Sequence, residues 1–137
     1  MADKTATYKV FEFLTGVLKP LGIKTYLQNR PIAVEDKLQS FLVVALPARL
    51  DTNIHGGELL QNRTTGTIYS FYRSKSDGTP NISGQTTQDG RVLDLFPMRG
   101  DYVECVKPVL LNRGYDDFGF HVSAIYFDIR VRRDIEI

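Results

Sequence analysis

Near its C-terminus the chain holds a stretch that leaves little freedom of fold. Ile125, Phe127, Ile129 and Val131 are apolar, while Asp128, Arg130 and Arg132 fall between them. Side chains of a strand alternate faces, so this period of two describes a β-strand with one face in a core and the other face outward. A slip of one residue would turn Asp128 and Arg130 inward, so the pairing register of this strand is strongly specified. The chain must therefore build a sheet with a covered face. The natural partner is the preceding run: Tyr102 to Leu111 is expected to pair with Phe120 to Arg133 as a long hairpin across Asn112-Arg113-Gly114-Tyr115-Asp116-Asp117-Phe118-Gly119.

A second pattern supplies the cover. From Tyr8 to Leu21, Val10, Phe13, Leu14, Val17, Leu18 and Leu21 follow the i, i+3, i+4, i+7 spacing of an amphipathic helix. Asp3 or Thr5 can cap its start, and Pro20 with Gly22 marks its end. Ile23 to Gln28 reads as a short strand stopped by Asn29-Arg30-Pro31. Phe41-Leu42-Val43-Val44-Ala45-Leu46, ended by Pro47, is unbroken apolar sequence of strand length and suits a central strand buried on both faces. Thr67 to Arg73, rich in β-branched and aromatic residues, predicts another strand after Gly66.

Ser74 to Gly90 changes character. Ile82 is its one large apolar residue, so it reads as a mobile polar loop with a functional role. In Arg91 to Pro97, Val92, Leu93 and Phe96 fit one helical face and predict a short second helix. The expected class is α+β: a mostly antiparallel sheet, with the N-terminal amphipathic helix and the short second helix packed on one face.

The 137 residues suit one domain, 1–137, large enough to bury a core without metal or disulfide staples. Seventeen Lys and Arg against sixteen Asp and Glu leave a formal charge of +1, which gives no global attraction to nucleic acid or anionic lipid. The single cysteine and the start Met1-Ala2-Asp3-Lys4-Thr5, which lacks a signal-peptide core, point to a cytosolic compartment. No run approaches the length of a membrane span.

Reaction chemistry has little to stand on. Cys105 lies between Val103 and Lys107 on a predicted strand, where a thiol is usually packed. His55 and His121, the only imidazoles, have no acid or ligand at a telling spacing. Asp116-Asp117 could hold a cation or act as acid and base, but aspartates in a turn more often bond their own backbone. Phosphate-cradle and zinc-protease motifs are absent from the sequence, and no catalytic, metal or cofactor residue is assigned. Aromatic and basic residues interleave at Tyr69, Phe71, Tyr72, Arg73 and Lys75 and again at Tyr126, Phe127, Arg130, Arg132 and Arg133. Such a face can bind RNA, yet in antiparallel strands most of these aromatics are expected in the core or in cross-strand pairs. Arg73, Lys75, Asp77 and Arg91 around the polar loop, with Arg130, Arg132 and Arg133 on the last strand, are the candidate interface residues.

The whole pattern resembles the tail-completion or tail-terminator proteins of long-tailed bacteriophages. The resemblance rests on the helix Tyr8 to Leu18, the turn and strand Gly22-Ile23-Lys24-Thr25-Tyr26, the strands Phe41-Leu42-Val43-Val44 and Ile68-Tyr69-Ser70-Phe71, and the hairpin Tyr102-Val103-Glu104 to Ile125-Tyr126-Phe127-Asp128-Ile129. It implies a structural protein of the virion tail or neck, without cofactor or catalytic site, assembled in the host cytoplasm. It also implies a homohexameric ring that ends tube polymerisation and joins tail to head, with the tail tube protein and a neck, connector or portal-adaptor protein as partners. The family usually carries a longer second helix than the short one predicted here. The alternative is a small intracellular binding domain that uses the aromatic and basic sheet face for nucleic acid or a ligand. An enzyme built on His55, His121 and the Asp116 pair ranks third.

Overall fold

A computed structural model describes residues 6–28, 38–46, 51–53, 61–101, 103–115 and 118–132. Met1, Ala2, Asp3, Lys4, Thr5, Asn29, Arg30, Pro31, Pro47, His55, Tyr102, Asp116, Asp117 and Arg133, named above, lie outside the described residues.

Helix α1 (Ala6–Leu18) runs into a 3-10 turn, Lys19–Leu21. Gly22 ends it at φ 70°, and its N–H bonds the Lys19 carbonyl at 3.1 Å. Left-handed backbone of this kind is cheap only for glycine, which explains the abrupt exit from the helix. The predicted stripe is real: Val10, Leu14 and Leu18 are buried, and Phe13, Val17 and Leu21 are partly so.

The strands are β1 (Thr25–Leu27), β2 (Ser40–Ala45), β3 (Asp51–Asn53), β4 (Gln61–Arg73), β5 (Met98–Arg99), β6 (Val103–Tyr115) and β7 (Phe120–Arg132). Six form one sheet in the order β1-β2-β4-β7-β6-β5, and β3 pairs with β4 beside that path. Among the described residues only β1 and β2 pair in parallel, and the other pairings are antiparallel. With two α-helices among the described residues, the protein is α+β. No helix among the described residues is long and apolar enough to cross a membrane.

Alternation organises the interior as the C-terminal pattern requires. Ile125, Phe127, Ile129 and Val131 are 0–2% exposed. They share one apolar cluster with Leu42, Val44 and Ile68 of the sheet, Val10, Leu14 and Leu18 of α1, and Val92. Residues of opposite parity, Phe41, Val43, Phe71 and Phe120, form a second cluster. Phe41 stacks on Phe71 with ring centroids 4.4 Å apart and meets Phe120 edge-on at 5.0 Å. The run Phe41 to Val44 is buried on both sides because it feeds both clusters.

Three expectations need correction. The stretch 74–90 is not one polar loop, and the second helix does not begin near Arg91: α2 spans Ile82–Leu93. It starts where Asn81 accepts a hydrogen bond from the Gly84 N–H at 3.0 Å, an N-cap. Its sequence shows no apolar stripe because it docks largely through amides. Gln88 donates to Ser70 Oγ at 2.8 Å and to the Phe71 carbonyl at 3.1 Å, and Gln85 donates to the Ser70 carbonyl at 3.0 Å and to Ser123 Oγ at 3.2 Å. Glycine at position 84 lets Tyr72 in, since a Cβ there would lie 2.3 Å from the ring.

Second, β4 does not start after Gly66 but includes it. Gly66 pairs with Phe127, and a Cβ on it would stand 2.7 Å from Ile129 Cδ1 and 2.9 Å from Phe127 Cζ. A glycine inside a strand here marks a close approach of side chains to backbone rather than a turn. Third, β6 continues past Leu111 to Tyr115. Register shifts between Val106 and Val109 and between Asn112 and Tyr115 absorb the extra residues, with Lys107 at φ 59° and Gly114 at φ 83°. Such bulges bend and twist the strand, and they disguise it in sequence as turn residues.

Candidate functional site

The predicted interface residues do not form one site. Arg73 closes β4, opposite Phe120 of β7, whereas Arg130 stands ten positions further along the same pair of strands. At about 3.3 Å per residue the two are roughly 33 Å apart along the sheet.

Around Arg73 the chain is tied down. Its Nε and Nη2 donate to the Leu38 carbonyl at 3.0 and 2.8 Å, and the guanidinium sits 4.5 Å from the Phe120 ring centroid. Arginine here closes the end of the aromatic cluster, which is packing and cation–π work. Asp77, fully exposed, folds its own turn by accepting from the Thr79 N–H at 3.0 Å and Oγ1 at 2.6 Å. Those bonds, the hydroxyl's first, hold its carboxyl below the usual carboxylate range. Lys75 is exposed on the same turn. Arg73, Ser74, Lys75, Ser76, Gly78 and Gly119 line an open cleft of ≈ 360 Å³.

At the lip of that cleft lies a pair the sequence did not suggest. Ser74 Oγ is 2.6 Å from His121 Nδ1, across 47 positions of chain. The contact arises because Ser74 N–H bonds the Gly119 carbonyl at 2.9 Å, which continues the β4–β7 ladder past Arg73 and sets the two side chains beside each other. Nucleophilic chemistry at a serine beside an imidazole is accelerated by donors aimed at the developing oxyanion. Of the turn amides with assigned bonds, Lys75 N–H and Gly78 N–H are turned onto carbonyls of that turn and Thr79 N–H onto the Asp77 carboxylate. The pair ties the ends of the two strands together.

The other end carries a small ionic patch. Glu104 lies 3.2 Å from Arg99 and 3.4 Å from Arg130, linking β5, β6 and β7 on the outer surface. Exposed pairs of this kind contribute little stability. Arg132 ends β7, and Arg91 on α2 donates from Nη2 to the Leu21 carbonyl at 2.7 Å, joining the two helices. Cys105 is buried, and desolvation, with Glu104 second, pushes its thiol up to about 12. Such a thiol is a packed one, without nucleophilic character at neutral pH. No group of three His, Cys, Asp or Glu among the described residues could hold a metal ion.

The feature that sequence reasoning passed over is the outer edge of β6. Val109, Leu110 and Leu111 are 54%, 41% and 48% exposed. Their partners on β7 are Tyr126, Ile125 and Ala124. On the other side β5 pairs with β6 only at Glu104 and Cys105, and among the described residues no strand lies against 107–115 there. Three successive apolar residues expose both faces of an open sheet edge, a template for another strand. The signal was present as lost alternation after Pro108, but an apolar triplet in a hairpin reads equally as a buried strand.

No protein-family model matches the chain, and no curated protein matches it. Nine chains of solved structures do. One of them, whose name says nothing of its activity, aligns over 94% of this chain and 97% of its own with a TM-score of 0.60 and 12% identity. At that identity the likeness is one of fold: the chain shares its α+β architecture, over nearly its whole length, with a protein of known structure.

Proposed function

We propose that the protein is a structural subunit of a phage tail or neck, one that closes into a ring at the head-proximal end of the tail tube, ends tube growth and joins the tail to the head. The observation that carries the reading is the apolar edge of β6 at Val109, Leu110 and Leu111, exposed and without an outer strand among the described residues, a surface suited to strand addition by a neighbouring subunit. The order of elements adds to it. The tail-completion resemblance implies a second helix before the closing hairpin, and α2 supplies twelve residues of it. Val10, Leu14 and Leu18 of α1 and Val92 of α2 share an apolar cluster with Ile68, Ile125, Phe127 and Ile129, which supports reading both helices on one sheet face, with the sheet edges left for contacts between copies. Host cytoplasm during assembly and the virion afterwards are the compartments, with the tube protein and a neck or portal-adaptor protein as the other neighbours.

The alternative, an aromatic and basic sheet face for nucleic acid, has less to recommend it. Phe71 and Phe127 are buried in different clusters, and Arg73 is spent on Leu38 and Phe120. Stacking on bases needs exposed rings.

The test is absolute mass by light scattering over a concentration series, with negative-stain images of the largest species. A closed ring of uniform subunit number supports the reading. A chain that stays monomeric both alone and with preformed tube ends defeats it.

A further inference from the structure

From the open edge of β6 and the composition of residues 134–137 we infer that Asp134-Ile135-Glu136-Ile137 of one copy adds as a strand to β6 of the next. The inference rests on the ring reading and names the contact that would build the ring.

The receiving edge is defined. Residues 107–115 lack a strand on the side away from β7 among the described residues, and Val109, Leu110 and Leu111 are exposed on both faces. An edge of this kind needs backbone donors and acceptors from an extended segment and apolar side chains at alternate positions. The only charged residues between 105 and 115 are Lys107 and Arg113, both exposed cations. A fitting occupant is therefore extended, β-branched at alternate positions and acidic.

Asp134-Ile135-Glu136-Ile137 has that composition: two isoleucines two apart, interleaved with two carboxylates. β-branched residues favour a strand, and opposite charges across a strand pair favour one register over its alternatives. It begins one residue, Arg133, after β7, which ends at Arg132.

Geometry assigns the edge to another copy. Val109 is level with Tyr126, six positions back along β7 from Arg132, or about 20 Å. Ile135 is three residues beyond Arg132, a reach of about 10 Å at most. The segment would have to double back, cross β6 and still fall short of its own edge. A neighbour has no such restriction. The contact then joins two different patches, the end of β7 on one copy and the middle of β6 on the next. Such a head-to-tail contact repeats by rotation and closes into a ring when the rotation permits.

The experiment uses full-length chains. Leu111→Cys and Ile135→Cys are made separately, mixed, and oxidised mildly; Thr15→Cys on the exposed side of α1 replaces Leu111→Cys in the control mixture. We expect a disulfide-linked dimer in the first mixture at least tenfold above the control. Equal yields overturn the inference. In parallel, light scattering compares the whole chain with one lacking 134–137, whose fold is checked by circular dichroism. Loss of the oligomer with the fold intact supports tail exchange. A ring of unchanged mass without 134–137 overturns tail exchange and leaves the ring reading standing. A chain that forms no oligomer even at tube ends, with no cross-link above control, removes both.

Discussion

Gln88 on α2 places Nε2 2.8 Å from Ser70 Oγ, deep between helix and sheet, where both residues are buried. The same nitrogen also donates to the Phe71 carbonyl at 3.1 Å. A helix with little apolar surface is thus held in part through this amide group. Gln88→Ala should leave Ser70 and Phe71 without these partners and open a small cavity. The expected loss is about 1–3 kcal/mol in urea unfolding. A loss below about 0.5 kcal/mol would show that water replaces the amide freely.

This docking is also where residue pattern and structure part. β7 and α1 were legible because burial by apolar side chains imposes a period, two on Ile125 to Val131 and 3.6 on Val10 to Leu21. α2 was not legible, since hydrogen bonds from Gln85 and Gln88 to Ser70, Phe71 and Ser123 leave no periodic trace in hydropathy. Its Gly84 and Gly90, which argue against a helix on propensity alone, are tolerated because tertiary contact outweighs about 1 kcal/mol apiece. The candidate site was legible only in part. Charge picked out Arg73, Lys75, Asp77, Arg91, Arg130, Arg132 and Arg133, but a charged residue does not reveal whether it faces a neighbour or bonds the chain's own backbone, as Arg73 and Arg91 do. The open edge at Val109 to Leu111 depends on which strand is missing beside it, and that is a property of topology.

Gly66 and Gly16 should respond to alanine in opposite directions. A Cβ on Gly66 meets Ile129 Cδ1 at 2.7 Å and Phe127 Cζ at 2.9 Å, while Gly16, exposed on α1, has nothing within 4 Å. Gly66→Ala should cost about 1–3 kcal/mol through overpacking of the central strand pair. Gly16→Ala should stabilise by about 0.5–1 kcal/mol, because alanine is the better helix former and loses less backbone entropy. Thermal unfolding of the two variants side by side checks the sign of each.

Arg73 should not tolerate lysine. Two guanidinium nitrogens converge on the Leu38 carbonyl while the planar group lies over Phe120. An ammonium cannot do both. Arg73→Lys should destabilise by about 1–2 kcal/mol. Denaturant unfolding at low and at high salt measures it: a deficit that persists at high salt is owed to the Leu38 carbonyl and the Phe120 ring. A deficit that vanished at 1 M salt would mean an ion pair supplies the effect.

Cys105 should make the protein sensitive to alkali. Burial and the nearby Glu104 raise its thiol from 9.0 to about 12 in the folded chain. Above the unfolded value the unfolded chain ionises its thiol while the folded chain keeps the proton, so the unfolded state binds fewer protons. Stability contributed by the neutral thiol is complete below pH 9 and is lost as the pH rises toward 12, at up to about 1.4 kcal/mol per pH unit. Cys105→Val, which conserves a small apolar side chain, should remove that slope. Denaturant unfolding of both proteins from pH 8 to pH 11 isolates the thiol from the tyrosines and lysines that titrate in the same range. Parallel curves for the two would show that Cys105 ionises freely in the folded state, and labelling by a thiol reagent under native conditions should then be fast rather than limited by unfolding.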